Sequence, residues 1–181
     1  MFPFDTAFAM GVASERTLPL THFFSVFTNL GDAWLTVFAV SIACIVLFAT
    51  KRRRFVPELF TVVAGSALSV WMLKLYFVLP RPTDPIALMT VDSYSFPSGH
   101  AAASMALYGF LIWILVGTGK KSRGRTQLAA ALSLLIIMIG YSRLYLGVHY
   151  LSDVVAGYFV GLVWIGIGIM LSRTKWIRRL R

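Results

Sequence analysis

Five stretches of this chain are apolar and long enough to cross a lipid bilayer, and nothing else restricts the fold as much. They cover roughly residues 32–50, 56–79, 98–118, 127–147 and 149–172. A spanning helix needs about 20 apolar residues, and lipid offers the backbone N–H and C=O groups no partner. The expected fold class is therefore all-α: a polytopic transmembrane helix bundle of about five spanning helices. Charged residues make up only 13% of the chain, against about 25% in a soluble domain. The stretch 18–31, "LPLTHFFSVFTNLG", is apolar but interrupted by Pro19, Thr21, His22 and Asn29. It is read as a helix lying along the membrane interface. Residues 1–31 thus form an N-terminal interfacial segment, and 32–181 a transmembrane domain with a basic tail. No basic stretch followed by an apolar core opens the chain, so no cleavable signal peptide is expected.

The formal net charge is +10, which raises nucleic acid as a partner. The placement of the charge argues against it. Thirteen of the 17 basic residues sit in "KRRR" (51–54), "KKSRGR" (120–125) and the tail from Arg173 to Arg181. These clusters follow the first, third and fifth apolar blocks, and no nucleic-acid motif accompanies them. Basic loops mark the cytoplasmic side, so the N-terminus is expected outside and the C-terminus inside. Cys44, the single cysteine, lies in mid-block and is read as a packing residue.

Three polar motifs gather at the other ends of the blocks. In the first, Lys74 and Arg81 are seven residues apart, near two helical turns, with Pro80 and Pro82 ending the helix. The second is Pro97-Ser98-Gly99-His100 at the start of the third block. Open N–H groups at a helix start attract anions, and Gly99 allows close approach of a ligand to the backbone. The third runs from Ser142-Arg143 to His149 and Asp153. A His and an Asp four apart share a helix face, and the carboxylate can fix one ring nitrogen and free the other for attack. Taken singly, each motif also has a structural reading: snorkelling cations, a capped helix start, a structural His–Asp pair. Charge at the ends of three separate apolar segments, all on one level, favours a shared site. Lys74, Arg81 and Arg143 against Asp153 leave about two positive charges, matching a phosphate ester near neutral pH. Glu, Cys and further His residues are missing nearby, so no zinc site is expected.

Together the three motifs, K-x6-RP, PSGH and SR-x5-H-x3-D, resemble those of the type 2 phosphatidic acid phosphatase superfamily, the lipid phosphate phosphatases. Each is complete, in order, and in the matching helix context over about residues 31–172. The resemblance implies that His149 is the nucleophile that forms a phosphohistidine, oriented by Asp153. His100 is implied as the acid–base residue. Lys74, Arg81, Ser98, Gly99 and Arg143 are implied to bind the substrate phosphate. No metal or other cofactor is implied. The implied partners are a lipid phosphate substrate and membrane lipids, in a bacterial cytoplasmic (inner) membrane with the site on the outer face. Undecaprenyl diphosphate, phosphatidylglycerophosphate, phosphatidic acid and the 1-phosphate of lipid A are the candidate substrates. A lipid phosphotransferase and a non-catalytic lipid-phosphate transporter are the alternatives, and the oligomeric state is left open. Many bacterial members resemble a six-span bundle, whereas this chain is expected to lack the first span. Gly157 and Gly161, with small-xxx-small spacing, are read as packing positions within the bundle.

Overall fold

Helices claim every apolar block, and no strand is found among the described residues, 3–118 and 122–178 of this computed structural model. Helices α1 (Pro3–Ser14) and α2 (Leu18–Phe27) lead through a 3₁₀ turn (Thr28–Gly31) into α3 (Ala33–Ala49). After α4 (Val56–Phe77) comes a long loop over 78–98. A single stack follows, made of α5 (Gly99–Ser104), a π-helical turn (Met105–Gly109) and α6 (Phe110–Gly117). The bundle is completed by α7 (Arg123–Tyr145) and α8 (Leu151–Arg178).

Local chemistry sets the boundaries. Pro19 and Pro57 occupy the first turns of α2 and α4, where a missing N–H breaks no helical bond. At the end of α4, Val78 adopts a left-handed backbone with φ 51°, a strained conformation for a β-branched residue. Its N–H bonds Lys74 O at 3.1 Å, and Pro80 and Pro82 prevent the helix from resuming. Ser122 caps α7, its Oγ accepting from the Arg125 N–H at 3.4 Å.

The expected spans are present, with two differences. Segments 53–77, 99–117, 123–145 and 151–173 are each long and apolar enough to cross a membrane. The first expected span is not a helix of its own, because α3 has only 17 residues. It reaches spanning length together with Leu18–Gly31, to which it is joined at a 56° bend. The third span is interrupted midway by its π turn, a local widening of the helix. The outer surface carries large apolar side chains such as Trp34, Phe38, Trp71, Phe159 and Met170. Such a belt is what a lipid-facing surface requires.

The main core lies in one half of the bundle, where Val40, Leu47, Leu59, Val62, Phe110 and Ile165 meet. Cys44 packs half-buried against it. Beyond this core the basic ends converge: Arg54, Thr118 and Arg173 line one surface pocket. Lys120, Lys121 and the tail side chains past Arg173 lie outside the described residues. At the opposite end the N-terminal segment is tied into the bundle. Asp5 of α1 is fully buried and accepts from Ser152 N (3.0 Å) and Ser152 Oγ (2.8 Å) in the first turn of α8. Arg16 Nε donates to Tyr145 O at 2.7 Å, and Phe24 packs on Tyr145.

Gly157 and Gly161 serve packing inside the chain. A Cβ on Gly157 would stand 2.5 Å from Ser98 O and 3.0 Å from Ala101 Cβ, and one on Gly161 would stand 2.7 Å from Met105 Cβ. These contacts bring α8 directly against α5 and the π turn. Gly157→Ala is expected to destabilise the protein by about 1–3 kcal/mol through overpacking against backbone. Gly166→Ala, where a Cβ would meet nothing within 4 Å, is expected to stabilise it slightly through helix propensity. Thermal unfolding of the two variants in detergent checks the opposite signs.

Candidate active site

Asp153 sits in the first turn of α8, and its Oδ2 accepts from the Tyr150 N–H at 2.9 Å. This is the backward arm of a capping box. It folds the carboxylate onto His149, whose Nδ1 lies 3.3 Å from Oδ2. Ser95, from the long loop, donates its hydroxyl to the same oxygen and lies 3.4 Å from Nδ1. His149 and Asp153 are each only 2% exposed. A carboxylate is tolerated at that depth only when donors surround it.

The other face of the ring meets Arg81, with Nη1 3.2 Å from His149 Nε2. Arginine can only donate. Nε2 must therefore be the acceptor, and the proton of the neutral ring sits on Nδ1, facing Asp153. The tautomer assigned in this way leaves the Nε2 lone pair on the side of the cations.

The cations reach this point by a different route from the one their spacing suggests. Because α4 ends at Phe77, Lys74 and Arg81 do not share a helical face. They converge on the loop segment 93–95. Lys74 Nζ donates to Tyr94 O, and to Ser95 O at 3.2 Å. Arg81 donates from Nε to Ser93 O (2.7 Å), from Nη2 to Ser93 Oγ (2.9 Å) and from Nη1 to Val148 O (2.6 Å). Burial draws the Arg81 guanidinium below its ordinary value, with the charge of Asp153 opposing.

Two further donors are buried with no hydrogen-bond partner: Ser98 Oγ and Arg143 Nε. Ser98 is held in place by its N–H, which donates to Asp153 O at 3.0 Å. Arg143 Nη1 donates to Thr28 Oγ1 at 2.6 Å, leaving Nε unused. Beside Gly99 the space is open, since a Cβ there would meet only Val70 Cγ1 at 3.8 Å. His100 lies within electrostatic reach of Arg143, His149, Arg81 and Lys74. All the predicted site residues are thus brought to one end of the bundle. His22 is not among them: it is exposed on α2.

The structure adds residues that the motifs leave out. Asp32 stands at the N-cap of α3 yet makes no side-chain capping bond. Its Oδ1 lies instead 3.0 Å from His100 Nε2. Gly31 packs on the same ring, and a Cβ there would come 2.6 Å from His100 Cδ2. Ser95 and Thr28 are the other additions. A carboxylate at the mouth of an apolar block was a visible signal for Asp32; Ser95 and Thr28 had none. A pocket of about 190 Å³, lined by Phe77, Leu79, Pro80, Phe96 and Tyr150, adjoins Asp153. Among the described residues no three His, Cys, Asp or Glu side chains form a group able to hold a metal ion.

This set of fixed cations and unpartnered donors around an unprotonated imidazole nitrogen suits a tetrahedral anion. Known proteins point the same way. The sequence profile of the PAP2 superfamily matches residues 54–177. Phosphatidylglycerophosphatase B of Bacillus subtilis is 32% identical over 51% of this chain and 45% of its own length. The undecaprenyl-diphosphatase of Sulfolobus acidocaldarius is 32% identical over 58% of this chain and 42% of its own. The chain therefore spans less than half the length of these two relatives. The crystal structure of a transmembrane PAP2 type phosphatidylglycerolphosphate phosphatase from Bacillus subtilis superimposes with a TM-score of 0.82 at 26% identity. That match covers 94% of this chain and 85% of the other.

Titration calorimetry with orthovanadate in detergent is expected to detect one bound anion per chain. Arg81→Gln should weaken it at least about ten-fold, ~1.4 kcal/mol, the scale of one charge-assisted hydrogen bond.

Proposed function

Because the chain belongs to the PAP2 superfamily, we propose that it is an integral membrane phosphatase acting on a lipid phosphate monoester or diphosphate. The observation that carries this reading is the orientation of His149: Nδ1 on Asp153, Nε2 toward the cations. His149 Nε2 attacks phosphorus, forming an N–P bond as the P–O bond to the leaving group breaks. His100 gives its proton to the departing oxygen. In the second half His100 takes a proton from water, the water oxygen attacks phosphorus, and the N–P bond breaks to release phosphate. Arg81, Lys74, Arg143 and Ser98 hold the phosphoryl oxygens, with the backbone at Gly99 open to them.

Asp32 extends this scheme. It adds a second carboxylate, but one paired with His100. Protonating His100 therefore restores the surplus of about two positive charges suited to a phosphate dianion. Three fixed cations can stabilise the transition state as metal ions do in other phosphoryl-transfer enzymes, so the reaction is proposed to be metal-independent. The apolar pocket beside Asp153 and the lipid-facing belt favour an amphiphilic substrate, with its phosphate at the helix ends and its chains among helices. Phosphatidylglycerophosphate, undecaprenyl diphosphate, phosphatidic acid and lipid A 1-phosphate are the candidates. By the distribution of basic loops, the site faces outward from a bacterial inner membrane, with the N-terminus out and the C-terminus in.

Phosphate release from these four lipids by purified protein in detergent tests the reading. His149→Ala is expected to lower turnover by at least about 10³-fold. Unchanged turnover would exclude the nucleophile, and activity lost in EDTA and restored by Mg²⁺ would exclude the metal-free scheme. Transfer of phosphate to a second lipid instead of water would identify a phosphotransferase.

The two imidazoles must work in opposite protonation states, so the pH–rate profile is expected to be bell-shaped: protonation of His149 ends activity on the acid side, deprotonation of His100 on the alkaline side. Asp32→Asn removes the charge that favours protonated His100. It should move the alkaline limb to lower pH and cut kcat by about 10- to 100-fold. A profile of unchanged shape would show that Asp32 does not act through His100.

A further inference from the structure

One cavity lies away from the candidate active site. It is a groove of about 660 Å³ between α3, α6 and α7, in the half of the bundle that carries the basic loops. Its walls are almost wholly apolar, with Ile42 and Val46 on α3, Leu111 on α6 and Leu128 on α7. Along α3 it extends from Ala39 to Thr50. At 1.5 Å per residue this is about 16 Å, close to half of the ~30 Å hydrocarbon core, or one leaflet.

The polar end of the groove is cationic. Among the described residues, Arg52 and Arg125 line it and no carboxylate does. Arg52 Nη1 donates to Ile114 O (3.1 Å) and Thr118 Oγ1 (3.3 Å), which anchors the guanidinium over the end of α6. Burial, then the positive charges of Arg125 and Arg54, draw Arg52 below its ordinary value. Two like charges lining the same apolar margin complement an anion. Packing gives the groove a structural meaning as well. α3 packs on α4 and α5 but scarcely touches α6 or α7, so the groove is the gap between α3 and that pair.

A substrate tail reaching in from the catalytic end does not fit this polarity. Asp32 is about 27 Å from Thr50 along the rise of α3, and the cations of the groove are at the far end. We propose that the groove binds one anionic phospholipid from the leaflet facing the basic loops. Its phosphodiester lies between Arg52 and Arg125, and one acyl chain runs between α3 and the α6–α7 pair. Guanidinium forks suit phosphate oxygens, and basic pockets between membrane helices are established sites for anionic headgroups. The lipid completes the packing of α3, the helix whose other end begins at Asp32.

Native mass spectrometry of the full-length protein tests this, after delipidation and exposure to equal amounts of phosphatidylglycerol and phosphatidylcholine with identical chains. One phosphatidylglycerol is expected per chain, retained at least about ten-fold over phosphatidylcholine. Arg125→Gln, which leaves the contacts of Arg52 with α6 in place, should reduce that preference to about two-fold or less. Ile42→Trp, which fills the wall and spares both arginines, should reduce retention of either lipid about ten-fold. Equal retention of both lipids by the unmodified protein would overturn the proposal, leaving only annular lipid. So would a preference that survives Arg125→Gln, retention that survives Ile42→Trp, or displacement of the lipid by millimolar inorganic phosphate.

Discussion

A carboxylate buried at the start of a membrane helix has to be surrounded by donors, and Asp153 is that group here. Its Oδ2 takes the Tyr150 N–H, the Ser95 hydroxyl and the Nδ1 side of His149. Each contact fixes something larger. The Tyr150 bond starts α8, the Ser95 bond docks the long loop, and the His149 contact sets the tautomer that leaves Nε2 unprotonated. Unpaired, such a charge would cost several kcal/mol or be neutralised. The same electrostatic requirement therefore shapes the fold and orients the His149 ring.

The second imidazole is held in a different way. His100 lies at the start of the third span, and its partner Asp32 comes from the elbow between α2 and α3. Thr28 and Gly31 belong to that elbow too, one bonded to Arg143 and the other packed on His100. The 56° bend is thus part of how the candidate site is assembled. Spaced three and four apart, Thr28, Gly31 and Asp32 would share one face even of a continuous helix; at the bend Asp32 takes an extended backbone, and its carboxylate pairs with His100 instead of capping α3.

Much of this was legible in the chain itself. The apolar blocks announced the spans because a bilayer leaves the backbone no choice but helix. The three motifs pointed to one polar cluster because charge is costly in apolar segments and is rarely placed there singly. Other features were hidden for reasons of distance. Asp32 meets His100 across 68 residues, Ser95 meets Asp153 across 58, and Thr28 meets Arg143 across 115. No periodicity relates such pairs. Nor did the spacing of Lys74 and Arg81 reveal their arrangement, because it resembles two turns of a helix that in fact stops at Phe77.

The amino-acid sequence alone determined the helical membrane class, the separation of a basic end from a polar end, and which polar side chains belong to that polar end. These follow from local hydropathy and residue type. Only the tertiary structure decided that Arg81 faces Nε2 and Asp153 faces Nδ1, that Asp32 supports His100, and that a groove parts α3 from its neighbours. Those outcomes depend on how helices distant in the chain are packed, and packing is set by the fit of whole surfaces, which no single stretch of residues contains.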